Sequence, residues 1–507
     1  MSDPLAASAI DDPVDVAIVG LGPVGAAAAC LLAQRGLTVA AFEREKSVYH
    51  MPRAAHFDAE IMRVWQAIGL TDALASCTTH IPGMHLVNAE GRKLLGFDTS
   101  VEVGPLGWPP DTMFHQPDLE TALRGRAREL GVAMHLGWEA VDIDPGRACG
   151  GEVRVLLRNV DGGAERAVRA RWLLGCDGAR SLVRSAIGGA LEDLRCDQPW
   201  LVVDVILKRP VELPRVAVQY CDPARPATFV PMPGARRRWE FMLMPGDTRE
   251  SMERPERVRE LVAPWVRPED VEVERAVVYT FHACLAAPWR KGRLFLLGDA
   301  AHQMPPFLGQ GMCAGVRDAA NLSWKLDLVA RGLAAEALLD SYERERSPHV
   351  RAVIDLAVRT GGIIQTTDPA LAAVRDAHFL GPDAPSLRPE PLPSLADGIV
   401  RAGDPSAGRV VPQPRDETGA RLDDRLGPGF AIVCRRDPRG GMREESLRFW
   451  DRLGARFVAT GALDIWLASH GATAVVVRPD RYAFGAATGA HDLDAVTDDL
   501  RARLERP

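Results

Sequence analysis

The sequence predicts an α/β fold in three parts: a Rossmann-like nucleotide unit, a lobe of mixed β-sheet, and a small C-terminal α/β domain. Three observations predict it. The stretch Val14 to Gln34, VDVAIVGLGPVGAAAACLLAQ, reads as strand, glycine turn and helix. From Trp200 to His282 the pattern changes to short β-like runs (WLVVDVIL, RVAVQY, ATFVPM, WEFMLM and VEVERAVVYTF) punctuated by Pro and Gly. After a Pro-, Ala- and Asp-rich stretch from Asp368 to Gly403, read as a linker, strand-like and helical runs return from Arg409 to Arg506.

In the first element, Gly20, Gly22 and Gly25 give G-x-G-x-x-G after the apolar run Val16 to Val19. The first glycine permits a tight turn, the second lets a pyrophosphate approach the backbone, and the third lets helix and strand pack closely. The phosphate charge would then meet the unpaired N–H groups at the helix N-terminus. Glu43 ends the next strand, LTVAAFE, 18 residues after Gly25, the reach of a ribose hydroxyl. Val16 to Ala33 carries no charge and would also suit a membrane span. However, Gly20, Gly22 and Pro23 break its first half, and Asp15 and Arg35 bound it. A dinucleotide site is the expectation.

The 507 residues suffice for two or three domains. Charged residues at 25% and apolar ones at 47% are ordinary for a globular chain, and a net charge of −7 argues against nucleic acid as a partner. The N-terminus, MSDPLAASAIDDP, has neither the basic start nor the apolar core of a signal peptide. The nine cysteines form no C-x-x-C and suit reduced thiols in a cytoplasm; no metal cluster is expected.

Along the chain, Arg53 and His56 sit in a loop-like stretch after Pro52, before a helical stripe from Phe57 to Ile68. Ile81 to Phe97 reads as short strands around the turn signal NAEGRK. In MFHQPDLETALRGRAREL, Pro117 occupies an early helical position and Leu119, Leu123 and Ala127 continue the stripe. Strand-like runs follow at Val132 to Leu136, Val153 to Leu157 and Ala170 to Leu174. The last runs into CDGARSLVR, where Asp177 either faces a cofactor or belongs to a structural turn. A helical insert near Pro255 to Val262 interrupts the β-rich lobe. Leu294 to Leu297 is a buried strand ending in Gly298-Asp299, followed by a loop with Pro305, Pro306, Gly309 and Gly311 and a helix from Met312 to Val329. That helix N-terminus can hold an anionic group, and Asp299 can accept from a hydroxyl-bearing chain. A long helix from Ala334 to Thr360 ends at Gly361-Gly362.

The glycine triplet with Glu43, CDGARSLVR, and GDAAHQMPPFLGQGMCAGVRDAANLSWKL stand in a fixed order. Together they resemble the flavin-dependent aromatic hydroxylases (class A FAD monooxygenases). With PRAAHFD, MFHQPDLE and QYCDPARP added, the likeness is greatest to the 3-(3-hydroxyphenyl)propionate hydroxylase group. The resemblance spans essentially the whole chain and implies a thioredoxin-like C-terminal domain, without redox chemistry for want of C-x-x-C. It implies a FAD-binding domain over 1–75, 112–190 and 285–367 and a substrate lobe over 76–111 and 191–284. A linker over 368–403 and the thioredoxin-like domain over 404–507 complete the division.

By that resemblance Gly20, Gly22, Gly25 and Glu43, with Arg44 beside them, hold the ADP half of FAD, and Arg53 and Gln116 lie near its pyrophosphate and ribityl chain. Asp177 serves FAD and NAD(P)H, Asp299 the ribityl chain, and Pro306, Gly311 and Met312 the flavin edge, where the helix dipole favours negative charge. NADH or NADPH is the transient donor. The resemblance implies hydroxylation of a small phenol by O2 through a flavin C4a-hydroperoxide. A phenol ionises near pH ~10, so an acceptor for its proton is needed. His56, Tyr220 and His302 are the candidates, each with an alternative role as loop, sheet or turn residue; Pro305 and Pro306 would wall the pocket. The expected partners are the phenol and O2, with no nucleic acid or membrane, in a chain compatible with a homodimer. Another phenol or an aromatic polyketide as substrate, and a non-catalytic FAD-fold binding protein, stay open beside this reading. A halogenase is disfavoured because W-x-W-x-I-P does not occur.

Overall fold

The computed structural model describes residues 13–98, 103–146, 151–382, 384 and 392–506. The reading of the N-terminus, residues 1–12, and Cys149 lie outside the described residues.

The nucleotide unit grows from the strand Val14–Val19. It pairs in parallel with Val39–Glu43 on one side and Glu165–Gly175 on the other, with Ala133–Leu136 and Leu294–Leu296 outside these. Val16, Ala17, Ile18 and Val19 are all buried, as a parallel strand covered on both faces requires. The helix Pro23–Ala33 packs against Gln116–Glu129 and Gly311–Ala330. Its Ala26, Ala27, Ala28 and Ala29 are fully buried, because only small side chains let helices approach so closely from several directions.

The second lobe is a seven-stranded sheet. Its order is Val271–Phe281, Gln198–Leu207, Arg236–Met242, Ala227–Val230, Ala217–Tyr220, Gly83–Val87, Lys93–Asp98. It is mixed because Ala217–Tyr220 runs parallel to Gly83–Val87 while its other pairings are antiparallel. Strand alternation splits its side chains. Leu201, Val203, Val205, Phe229, Trp239 and Phe241 make an apolar core with the helix Pro255–Val262. The intervening Val202, Asp204, Thr228, Val230, Arg238 and Glu240 fall on the other face.

The C-terminal domain orders its strands Arg456–Ala459, Ala431–Cys434, Ala474–Val477, Ala483–Ala487. The first pair is parallel and the others antiparallel, with helices Glu444–Leu453 and Ala490–Glu505. This β-α-β then β-β-α order is the thioredoxin-like arrangement. The domain extends the core of the nucleotide unit, where Phe430 meets Trp324 edge-on at 5.5 Å.

Two expectations are corrected. Part of the stretch read as linker is a helix, Pro369–Leu380, because Asp368 accepts from the N–H of Ala370 and Leu371 and Pro369 starts the first turn. The long helix does not stop at Gly361-Gly362 but runs Ser341–Ile364. Gly361 is there for close approach: a Cβ on it would lie 2.6 Å from the Phe307 ring. Among the described residues, no helix is long and apolar enough to cross a membrane.

Candidate functional site

A cavity of about 2110 Å³ runs from the glycine turn to the polar face of the seven-stranded sheet. At its nucleotide end, Gly20 has φ +93° and a Cβ there would meet the Cys176 carbonyl at 2.3 Å. A Cβ on Gly25 would sit 2.0 Å from the Gly20 oxygen. Gly22, by contrast, has nothing within 4 Å of its missing side chain and opens onto the cavity. The turn is held by side chains: Arg124 donates through Nε and Nη2 to the Leu21 carbonyl at 3.3 and 3.0 Å. Glu43 accepts from Leu21 N–H at 2.9 Å and from Glu45 N–H at 3.0 Å. Arg124 was not found from the sequence; it lines the cavity, and its buried Nη1 has no partner. Arg44 lies exposed at the mouth, 3.5 Å from Glu45.

The Arg53 loop is clamped from two sides. Gln116 accepts from the N–H groups of Arg53 and Ala54 at 2.7 and 2.8 Å and donates to Glu120 at 2.7 Å. Arg238, from the sheet, donates to the carbonyls of Arg53 and Pro52 at 2.8 and 3.1 Å. Asp177 lines the cavity, but its carboxylate accepts from Ser181 Oγ at 2.6 Å and Val183 N–H at 3.1 Å, so it braces the N-cap Ser181 and the first turn of the helix Leu182–Ile187. Burial raises that carboxyl above the usual range. Asp299 is exposed toward the cavity, beside Pro306, Gly311 and Met312, while Pro305 is buried behind them. The helix Gly311–Ala330 starts with no side-chain cap and no acid in its first turn, leaving its first N–H groups for a ligand.

Of the three candidates for the phenol, the structure brings His56 to the cavity. Its Nε2 faces Asp111 at 3.0 Å and its Nδ1 faces the Gly309 carbonyl at 3.4 Å. Both partners are acceptors, which favours the imidazolium. Burial pulls the ring's pKa down, but Asp111, Asp58 and the Gly309 carbonyl outweigh it and the net shift is upward. Tyr220 is corrected: it points to the opposite face of its strand, accepts from Trp265 Nε1 at 2.9 Å and packs in the sheet's apolar core. His302 is corrected too. It is 1% exposed and turned inward, with Nε2 2.7 Å from Asp318, which Arg346 also binds at 2.9 Å.

The sheet end is polar in a way the sequence reading missed. Asp204 accepts from Arg238 Nε at 2.7 Å and pairs with Arg275 at 2.6 Å, and Arg275 donates to Tyr279 Oη at 3.1 Å. Glu240 sits 4.0 Å from Arg238, and burial raises its carboxyl. Thr228 Oγ1 donates to Gln219 Oε1 at 2.6 Å. Asp204 within the apolar run WLVVDVIL and Glu240 within WEFMLM were the available signal. Two thiols lie alongside: Cys176 lines the cavity, and Cys313, in the first turn of Gly311–Ala330, donates toward the carbonyls of His56 and Gly309 at 3.8 and 3.7 Å. Burial pushes both thiols well above their ordinary value.

Residues 13–357 match a family described as FAD binding domain, and residues 408–460 and 459–503 match the HcaD C-terminal domain. A probable NADH-specific resorcinol 4-hydroxylase of Rhodococcus jostii is 37% identical over 97% of this chain and 95% of its own. A 3-(3-hydroxy-phenyl)propionate/3-hydroxycinnamic acid hydroxylase of Burkholderia cenocepacia is 36% identical over 97% of each chain. Among solved structures, aklavinone-11 hydroxylase in a ternary complex with FAD and aklavinone superimposes with a TM-score of 0.80 at 26% identity, over 98% of this chain and 100% of that one. The flavin-dependent monooxygenase PieE shares the fold, with a TM-score of 0.82 at 21% identity over 98% of this chain and 100% of its own.

Proposed function

The chain belongs to the FAD-dependent aromatic hydroxylases, and on that premise we propose that it uses NAD(P)H and O2 to convert a small phenolic acid, 3-(3-hydroxyphenyl)propionate or 3-hydroxycinnamate, to the catechol. One observation carries the reading. The cavity of about 2110 Å³ joins the glycine turn to the polar sheet face and exceeds the roughly 300–1,000 Å³ of a single small-molecule site. It has room for a dinucleotide and a second molecule together.

The residues at the nucleotide end fit FAD: an open backbone at Gly22, uncapped amides at Gly311 and Met312, and an unpartnered Nη1 on Arg124. Gly20, Gly22, Gly25, Glu43 and Arg44 would hold its ADP half, Arg53 and Gln116 its pyrophosphate and ribityl chain, and Asp299 and Pro306 its flavin end. Asp177 would act by fixing the turn beside Gly20. Bound FAD supplies hydride acceptance from NAD(P)H and activation of O2.

The chain's own residues then orient and activate the phenol. His56, whose acceptor partners Asp111 and Gly309 favour the protonated ring, and the amides of Gly311 and Met312 favour negative charge on that side of the cavity. Glu240, raised by burial, is placed on the sheet face to accept the phenol proton. Phe281, Phe307 and Met84 line the same space and exclude water from it. A cytoplasmic location belongs to the same proposal, supported by the free cysteines among the described residues.

A second reading, an uncharged phenol, draws on one observation. On the sheet face Arg238 and Arg275 share Asp204, with Glu240 adjacent, so two positive charges meet two negative ones and no surplus awaits a carboxylate. The test is NAD(P)H oxidation and product chromatography across 3-(3-hydroxyphenyl)propionate, 3-hydroxycinnamate, resorcinol and an aromatic polyketide. Catechol formation with the lowest KM for the phenolic acids supports the first reading. Turnover of resorcinol with no response to the acids replaces it with the second, and turnover of the polyketide alone removes both.

A further inference from the structure

The turn joining Ala474–Val477 to Ala483–Ala487 inserts side chains of the C-terminal domain into the nucleotide unit. Arg478 donates to Glu345 at 2.7 Å, and Asp480 accepts from Asn321 Nδ2 and Trp324 Nε1 at 3.2 Å each. Arg481 makes the turn in the left-handed region at φ 70°, costly for a side chain that is not glycine, and is held by donating to the Gly427 carbonyl at 2.6 Å. Tyr482 then reaches furthest. Its hydroxyl donates to Glu60 Oε1 at 2.7 Å, across 422 residues of sequence.

From Glu60 the contacts continue without a gap. Glu60 Oε2 accepts from Arg317 Nε at 2.7 Å. Arg317 donates through Nη1 to Gln310 Oε1 at 3.0 Å and through Nη2 to Asp58 Oδ2 at 2.5 Å. Gln310 in turn donates to Asp58 Oδ2 at 3.1 Å. Gln310 immediately precedes the helix Gly311–Ala330, and Asp58 lies two residues from His56. Glu60, Gln310, Arg317 and Tyr482 are each under 9% exposed, and all four border the cavity, as does Asp58. One buried cation is thus shared by two carboxylates, and the Tyr482 hydroxyl satisfies the outer oxygen of one of them.

We propose that Tyr482 is a positioning residue: through Glu60 and Arg317 it fixes Gln310, and with it the first turn of Gly311–Ala330 that faces the flavin. The C-terminal domain, whose sequence has no C-x-x-C, is thereby part of the cofactor site. Loss of the hydroxyl leaves Glu60 Oε1 buried without a donor, a state that drives the carboxylate to rearrange and releases Arg317 from its double clamp. The proposal rests on FAD binding and not on which phenol is used.

The test is Tyr482→Phe, which keeps the ring packed against Leu395 and Val400 and removes only the hydroxyl. FAD affinity is measured by titrating the apo-protein, together with the flavin's visible absorption bands and the thermal melting point. The expected result is FAD binding weaker on the order of tenfold, the size of a typical coupling between two sites, with shifted visible bands. A lowered melting point with wild-type affinity and bands, the mark of a purely structural contact, overturns the proposal. Glu60→Gln guards against misfolding of the first variant: it keeps an acceptor for Tyr482 and removes the negative charge that pairs with Arg317. Wild-type affinity and bands in that variant overturn the proposal as well. Neither measurement includes a phenol, so failure here leaves the substrate reading untouched.

Discussion

At the glycine turn the cavity wall is backbone, and the side chains nearby serve mainly to hold that backbone in place. At the seven-stranded sheet the wall is side chain, and the backbone serves only to space Arg238, Arg275, Glu240, Gln219 and Thr228 across it. A backbone wall binds what many dinucleotides share, a pyrophosphate and a sugar, and cannot easily be changed. A side-chain wall is altered by single substitutions and sets which small molecule is accepted. The difference teaches where cofactor retention and substrate choice reside.

The comparison can be broken most forcefully at Asp204. Asp204→Ala leaves Arg238 and Arg275 buried without their shared counter-charge and is expected to cost about 3–5 kcal/mol of stability, read as a drop in the denaturant midpoint. A smaller loss would mean that Glu240 takes over the pairing. Gly25→Ala comes next. Its Cβ forces apart the turn and the helix, costing about 1–3 kcal/mol, and the variant should purify with FAD depleted while the sheet lobe keeps its structure. Full FAD content would show that this wall tolerates more than its spacing suggests. Thr228→Val is the finest probe. It strands the Gln219 acceptor at a cost of about 1 kcal/mol, and the expected result is a raised KM for the phenol with FAD affinity unchanged. A change in FAD affinity instead would mean that the two ends are not separable.

The same contrast explains what was legible beforehand. Gly20 and Gly25 announce themselves because a Cβ would clash where they stand, Gly22 completes the pattern by leaving the backbone open to the cavity, and Glu43 follows at fixed spacing. Asp204, Arg238 and Arg275 stayed hidden because only strand register brings them together, placing Asp204 opposite both arginines on neighbouring strands. Tyr220 misled for a reason of period: on a strand its neighbour Gln219 takes the cavity face, and the tyrosine takes the apolar one. His302 misled by adjacency, since the short turn after Asp299 sends it inward to Asp318. Arg317 was detectable in principle as one of four charges, with Asp318, Lys325 and Asp327, on the helix Gly311–Ala330, but its partners Asp58 and Glu60, and Tyr482 behind Glu60, are contributed by distant elements.

The two thiols beside the cavity carry a consequence for durability. A catalyst that passes electrons to O2 works next to its own strongest oxidants, and the species they attack at cysteine is the thiolate. Burial, joined by the charges of Asp177 and Asp318 at Cys176 and of Asp58 at Cys313, pushes both thiols upward and so disfavours the thiolate. The burial that closes this end of the cavity, and after it the neighbouring carboxylates, therefore act against the form of its sulfur atoms that oxidants attack.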